Sequence, residues 1–307
     1  MWSLAPQAKV SRVANHASGS IYELGYQRYV GARLGRRHAV WALYTQSLRS
    51  VFGIGRSGWA KAAAFGLLVI ALLPAVVQLS IAAIVPANVD VVRPEDYYAQ
   101  IEPLLAIFCA VIAPELMGRD QRTKTLSLYF SRALRREDYA IAKYAAMVTA
   151  MLAMTLLPQL LMFAGNMSAA PDVFRYLADN WQDLPAIVGS ALLLSSLVAG
   201  AGLAIACQTS SRTYSTVAIA AAFLLTTGIA TAIFEAAGPS AGKYALLLSP
   251  FHVARGFTIW IFGSIPTSDN RQLMEANIRG SIYTLDAIAF AVICLLVVIR
   301  RYWRISV

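Results

Sequence analysis

Charge is scarce in this 307-residue chain. Only 14% of residues are Asp, Glu, Lys or Arg, against 58% that are hydrophobic, where a soluble domain carries about 25% charge. That scarcity argues against a soluble globular protein and for an integral membrane protein. Cysteine is sparser still, with three residues. Cys109, Cys207 and Cys294 each lie in or at the end of an apolar run with no CxxC spacing, which excludes a disulfide framework or a thiolate metal site and leaves packed free thiols. The three histidines, His16, His38 and His252, are scattered and no HExxH occurs, which argues against zinc-protease or diiron chemistry. No GxxxxGK[ST] loop is present, so the chain has no P-loop of its own for ATP. GIGRSG at 53–58 matches GxGxxG, but an amphipathic segment precedes it and an apolar run follows. A dinucleotide fingerprint needs a strand before it and an acidic residue about 20 positions on; flexible elbow glycines fit better.

What the chain does have is long apolar runs. A span needs about 20 such residues, and six qualify: 62–85, 98–117, 141–163, 184–207, 214–234 and 282–299. In lipid each must be a helix, because open strand edges cannot be satisfied there. The first run follows a long charged tail and reads as a retained span rather than a cleaved signal. Of the 26 Lys and Arg residues, 19 fall on one side if the N-terminus is inside, 6, including Arg255, on the other, and Lys143 lies within the start of the third run. The net charge of +10 therefore marks cytoplasmic loops facing anionic lipid rather than a nucleic-acid site. Both termini are expected in the cytoplasm.

The expected organisation is a cytoplasmic tail over 1–61, a six-span domain over 62–299 and a basic tail over 300–307. Within the tail, Trp41, Tyr44, Leu48, Val51 and Phe52 at helical spacing, near Arg36, Arg37 and Arg49, predict an interfacial amphipathic helix over 36–52, or a helix packed on a partner. Residues 244–263, broken at Ser249-Pro250, predict two short helices dipping in from the outer face. A seventh span there would put the basic C-terminal tail outside.

The segment GRDQRTKTLSLYFSRALRRED, 118–138, sets six basic residues between two apolar spans. Leu126, Tyr129 and Phe130 share a helical face, flanked by Arg119, Arg122 and Lys124. An apolar tip on a basic element has the composition of a docking knob; a solvated positive-inside loop accounts for it as well. Acidic groups near apolar runs, Glu102, Glu115 and Glu235, are candidates for function or for pairing with a nearby arginine. Phe108, Cys109, Phe223, Thr226 and Thr227 place aromatic or small polar groups mid-span and are candidates for a substrate path, or for plain helix packing.

Pro114, Glu115, Arg119, Asp120, Leu128, Tyr129, Ser131, Arg132, Arg135 or Arg136, Asp138, Tyr139 and Lys143 fall in the order found between the second and third spans of type 2 ABC exporter permeases, which this chain resembles over most of 25–307. Ala133 stands where that family often has proline. The resemblance implies a permease subunit, not an enzyme and without cofactors, in a prokaryotic cytoplasmic membrane. It implies two copies of an ATP-binding cassette subunit carrying ATP and Mg, and a second permease, identical or homologous. Residues 118–140 would form the coupling loop, with Arg119, Asp120, Arg122, Lys124, Leu126, Tyr129 and Phe130 contacting the ATPase and Glu115 as a cytoplasmic gate or salt bridge. The export substrate would be hydrophobic or amphipathic, its path lying between the permeases along the second and fifth spans. A membrane enzyme using Glu115 or Glu235 as acid/base, and a non-transporting membrane scaffold, are the rival classes.

Overall fold

A computed structural model describes Gly31 and residues 34–55, 58–84, 94–131, 134–264 and 270–304. The chain divides into two units, 1–33 and 34–307, and the second holds nearly all the described residues. Most of the N-terminal tail, Arg56 and Ser57 of the elbow, the 85–93 loop and Arg132-Ala133 lie outside them.

Every described element is helical. The order is α1 (Gly35–Val51), α2 (Gly58–Ile84), α3 (Pro94–Ala113), a π-helical turn (Pro114–Gly118), α4 (Arg119–Arg122), α5 (Leu126–Phe130), α6 (Arg136–Ala169), α7 (Val173–Asn180), α8 (Asp183–Ala206), α9 (Arg212–Ala241), a 3-10 turn (Gly242–Leu248), α10 (Pro250–Phe262), α11 (Arg271–Ala276) and α12 (Gly280–Arg304). Six stretches are long and apolar enough to cross a membrane: Lys61–Ile81, Tyr97–Arg122, Arg136–Ser168, Asp183–Ala206, Arg212–Leu248 and Gly280–Arg304. They coincide with the six runs read from the sequence.

Burial separates these helices into a centre and a rim. In the apolar windows of α3 and α8, 72% and 67% of residues are buried, against 22% in those of α2, α9 and α12. The centre is tight because small residues let backbones close up. A β-carbon on Gly202 of α8 would stand 2.0 Å from Cys109 Sγ on α3, and one on Gly165 of α6 would stand 1.6 Å from Leu79 Cδ2 on α2. Hydroxyls bridge the same seams. Tyr97 donates to the Ala71 carbonyl (3.0 Å) and Tyr98 to the Ile187 carbonyl (3.0 Å), so α3 is pinned to α2 and α8 without an orphaned polar group.

The helix ends differ from the hydropathy boundaries for local reasons. α6 starts five residues before its apolar run because the Asp138 carboxylate accepts from the Arg135 backbone N–H (3.0 Å). At 34 residues it is about 51 Å long, well beyond the ~30 Å hydrocarbon core. α9 continues past Phe234 to a kink at Gly238-Pro239, where Gly238 takes φ +74°. A β-carbon on Gly242 would stand 2.7 Å from the Phe234 Cα, so the 3-10 turn lies directly on α9. Ser249 then caps α10, its Oγ accepting from the His252 N–H (3.5 Å). Pro250 takes the first helical position, where its missing N–H costs nothing. The 13 residues of α10 reach about 20 Å, too short to span, yet eight of them are buried against α3, α8 and α12. α1 forms over 35–51 and lies on α6. Its buried stripe is Leu43, Ser47 and Val51, while Trp41, counted on the apolar face from spacing, is 63% exposed.

Candidate functional site on the basic face

The second span does not stop at the end of its apolar run. It passes through the π-helical turn into α4, and this short stretch carries four polar residues that reach four other helices. Glu115 meets Arg212, the first residue of α9, at 3.0 Å, and Arg122 at 3.7 Å. Asp120 Oδ2 lies 2.9 Å from Lys143 Nζ on α6 and accepts the Tyr139 hydroxyl at 2.7 Å. Gln121 Nε2 donates to the Cys207 carbonyl at the end of α8 (3.2 Å) and to the Tyr302 hydroxyl on α12 (3.3 Å). Arg122 Nη1 donates to the Ser210 carbonyl (3.0 Å) in the link between α8 and α9.

The logic of these bonds is that of helix termini. The last carbonyls of α8 have no intrahelical donor. Gln121 from one side and Arg301 from the other supply it; Arg301 reaches the Cys207 carbonyl at 3.2 Å and the Gln208 carbonyl at 3.4 Å. A cation at a helix C-terminus also complements the helix dipole. The Tyr139 and Tyr302 rings meet at a tilt with centroids 4.9 Å apart, and Tyr129 (5.7 Å) and Phe130 (5.9 Å) close on Tyr139. Arg136 donates to the Trp303 carbonyl at 2.7 Å and lies over the Phe130 ring. A polar cavity of about 270 Å³ opens beside this hub, lined among others by Ser47, Glu115, Arg119, Asp120 and Lys143.

The tip presents a different set of atoms from the face read off the sequence. Leu126 is buried, and Tyr129 and Phe130 are half-buried against Tyr139. The exposed members are Arg119, Arg122, Thr123, Lys124, Ser127 and Leu128, with Leu128 at 66%. Lys124 adopts φ +54°, the left-handed conformation that turns α4 into α5. Tyr129 keeps one edge in a depression of about 430 Å³ shared with Thr125, Leu128 and Ser131. Burial holds its phenol above the ordinary range; Asp120 adds to the rise and Arg119 opposes it.

The comparisons with known proteins are negative: no family model matches the chain, and no curated protein matches it. The site therefore rests on its own geometry. Among the described residues no three His, Cys, Asp or Glu side chains come together as a metal set.

The mid-span candidates separate. Phe108 and Cys109 are fully buried, Cys109 donating to the Val198 carbonyl of α8 at 3.4 Å. Phe223 is buried on Phe251 of α10 (5.2 Å), and Thr227 is 3.0 Å from Ser249. Thr226 is half-buried and donates back to the Ala222 carbonyl at 2.7 Å. The exposed stripe of α3 is instead Gln100, Pro103 and Ile107, and that of α9 includes Leu224, Leu225 and Ile229.

At the other end of the bundle Glu102 of α3 and Arg255 of α10 form a two-pronged pair. Arg255 Nε donates to Oε1 at 2.7 Å, and Nη2 to Oε2. The Glu102 side chain is 4% exposed. Arg255, assigned from the sequence to the outer loops, therefore lies inside the helix assembly. Glu235 stays exposed and accepts from Gln272 at 3.4 Å. Sequence reading missed Tyr302 and Gln121 as members of the hub, and Arg255 as the partner of Glu102. Lys143, a lone cation at the start of an apolar run, and the acidic Glu102 and Glu115 near such runs carried visible signals; their partners did not.

Proposed function

We propose that the chain is the membrane permease of an ATP-driven exporter, powered by separate ATP-binding subunits. The observation that carries this reading is the hub. Three consecutive residues, Asp120, Gln121 and Arg122, together with Glu115, join the basic tip to α6, α8, α9 and α12. A tip so joined cannot move without moving the spans.

In this reading the basic face is cytoplasmic, and the 3-10 turn and α10 form the outer re-entrant pair. Two ATPase copies seat the α4–α5 tips of this chain and of a second permease, identical or homologous. Leu128 supplies the apolar anchor, the exposed edge of Tyr129 widens it, and Lys124 and Arg119 face acidic groups of the groove. Leu126 and Phe130 act from behind, holding the tip on Tyr139. Closure of the ATPases around ATP and Mg draws the tips together, and the hub passes that displacement to the four helices. Nucleotide shifts the balance between inward- and outward-open states only through its differential affinity for them. The substrate, hydrophobic or amphipathic, passes where the exposed stripes of α3 and α9 meet the second permease. Phe108, Cys109 and Phe223 stand behind that lining, and Thr226 is its half-buried polar member.

The test is a cysteine scan of the tip in native membranes. Cysteines at Leu128 and Lys124 should cross-link to a P-loop ATPase, and one at Leu126 should not. Equal cross-linking at all three, or at none, contradicts the assigned contact.

A further inference from the structure

We propose that the groove between α1 and α6 is a binding site for one anionic phospholipid, with an acyl chain along α6 and the phosphate at Arg37. The proposal stands apart from the exporter reading.

The groove is open along one side and has a volume of about 970 Å³. Its walls are Val40, Trp41 and Tyr44 from α1 and Ile141, Ala142 and Ala145 from α6. The Tyr44 hydroxyl, 3.0 Å from Thr149 Oγ1, closes the inner end.

Its mouth is polar and carries a spare positive charge. Arg36 is committed to Asp138 by two hydrogen bonds of 2.7 and 2.6 Å. The hydrogen bond to Asp138 holds its guanidinium above the ordinary value, and Glu137 acts on it in the same direction. Arg37 also lines the mouth, is exposed, and has no hydrogen-bond or ion-pair partner among the described residues. With Glu137 acting on Arg36 and Arg135 acting on Asp138, the mouth holds three guanidiniums against two carboxylates, an excess of one positive charge. A phosphate without a compensating ammonium matches that excess, and a zwitterionic headgroup does not.

Length is the second match. From Asp138 to Thr149 the groove follows eleven residues of α6, a rise of about 16 Å, which is half the ~30 Å hydrocarbon core and so one leaflet. Trp41, 63% exposed at the rim and 5.2 Å from the Tyr44 ring, is placed as interfacial aromatics are.

The experiment is native mass spectrometry of the full-length protein in detergent, titrated with phosphatidylglycerol or phosphatidylcholine of matched chains. Wild type should retain one phosphatidylglycerol in preference to phosphatidylcholine. Arg37→Gln should weaken that retention about fivefold, the worth of one arginine beside anionic lipid. Ala145→Phe should abolish it by filling the groove. Arg175→Gln, an exposed arginine on α7, should leave it unchanged. Arg37 is a surface residue, so its variant folds whatever Ala145→Phe does. Equal retention of both lipids, or indifference to Arg37→Gln, overturns the proposal. So does a disulfide between Trp41→Cys and a cysteine placed within residues 1–33, because the chain's own tail would then fill the groove.

Discussion

Breaking the Asp120–Lys143 pair tests whether the hub holds the helices together. The two charged atoms are 2.9 Å apart, with side chains 13% and 8% exposed. At an effective dielectric near 20, that separation is worth about 6 kcal/mol of attraction before desolvation. Desolvation cancels much of this for the intact pair, but removing one partner leaves the other buried and unpaired, at about 3–5 kcal/mol. The two single variants are not equivalent. Asp120→Leu strands both the Lys143 ammonium and the Tyr139 hydroxyl, so its cost should be about 4–6 kcal/mol. Lys143→Met leaves Asp120 with the Tyr139 hydrogen bond, and should cost about 3 kcal/mol. The double variant removes both charges and should regain at least half of the larger loss. Thermal unfolding in detergent, followed by size-exclusion of a fluorescent fusion, reads these as Tm. At roughly 2–4 °C per kcal/mol, Asp120→Leu should fall by about 8–24 °C and Lys143→Met by about 6–12 °C. A double variant that falls by the sum of the singles would show no coupling between the residues and refute the reasoning. So would singles indistinguishable from wild type.

Other consequences are as direct. Arg255→Lys keeps the charge opposite Glu102 but loses the two-pronged geometry, and should lower Tm by the equivalent of about 1.5–3 kcal/mol; an unchanged Tm would mean the pair is dispensable. Gly202→Leu should abolish folded protein in detergent because its side chain meets Cys109, whereas Gly228→Ala, with nothing within 4 Å, should leave Tm unchanged or higher. For orientation, the native cysteines are buried, so single cysteines at Phe174 (85% exposed) and Leu128 (66% exposed) can be read selectively. A membrane-impermeant maleimide should label the first in intact cells and the second only after permeabilisation; the reverse pattern inverts the topology.

The helices were legible because hydropathy reports what a span must be, whatever its neighbours. Lys143 was legible as an anomaly, but its partner was not, since nothing local ties residue 143 to residue 120. The same holds more strongly for Glu102 and Arg255, 153 positions apart. Arg255 read as an outer-loop cation because the 244–263 segment is broken at Ser249-Pro250 and α10 is too short to score as a span, although it packs among the spans. The orientation of the tip was not legible for another reason. Periodicity groups Leu126, Tyr129 and Phe130 on one face but is silent on which face turns inward. Tyr139 and Tyr302, from α6 and α12, form the aromatic surface that draws that face in and leaves Leu128 outside. Similarly, the exposure of Trp41 follows from the groove beside α6 rather than from the spacing within α1.

The central claim is that α4–α5 is a docking tip for an ATPase. It is tested most directly by affinity purification of the tagged protein from detergent-solubilised native membranes, with quantitative mass spectrometry of what accompanies it, for wild type and Leu128→Asp. The result expected is a stoichiometric P-loop ATPase with the wild type, and its loss with Leu128→Asp at unchanged yield and Tm. A wild-type protein that purifies with no ATPase, or an ATPase retained in full by Leu128→Asp, would contradict it.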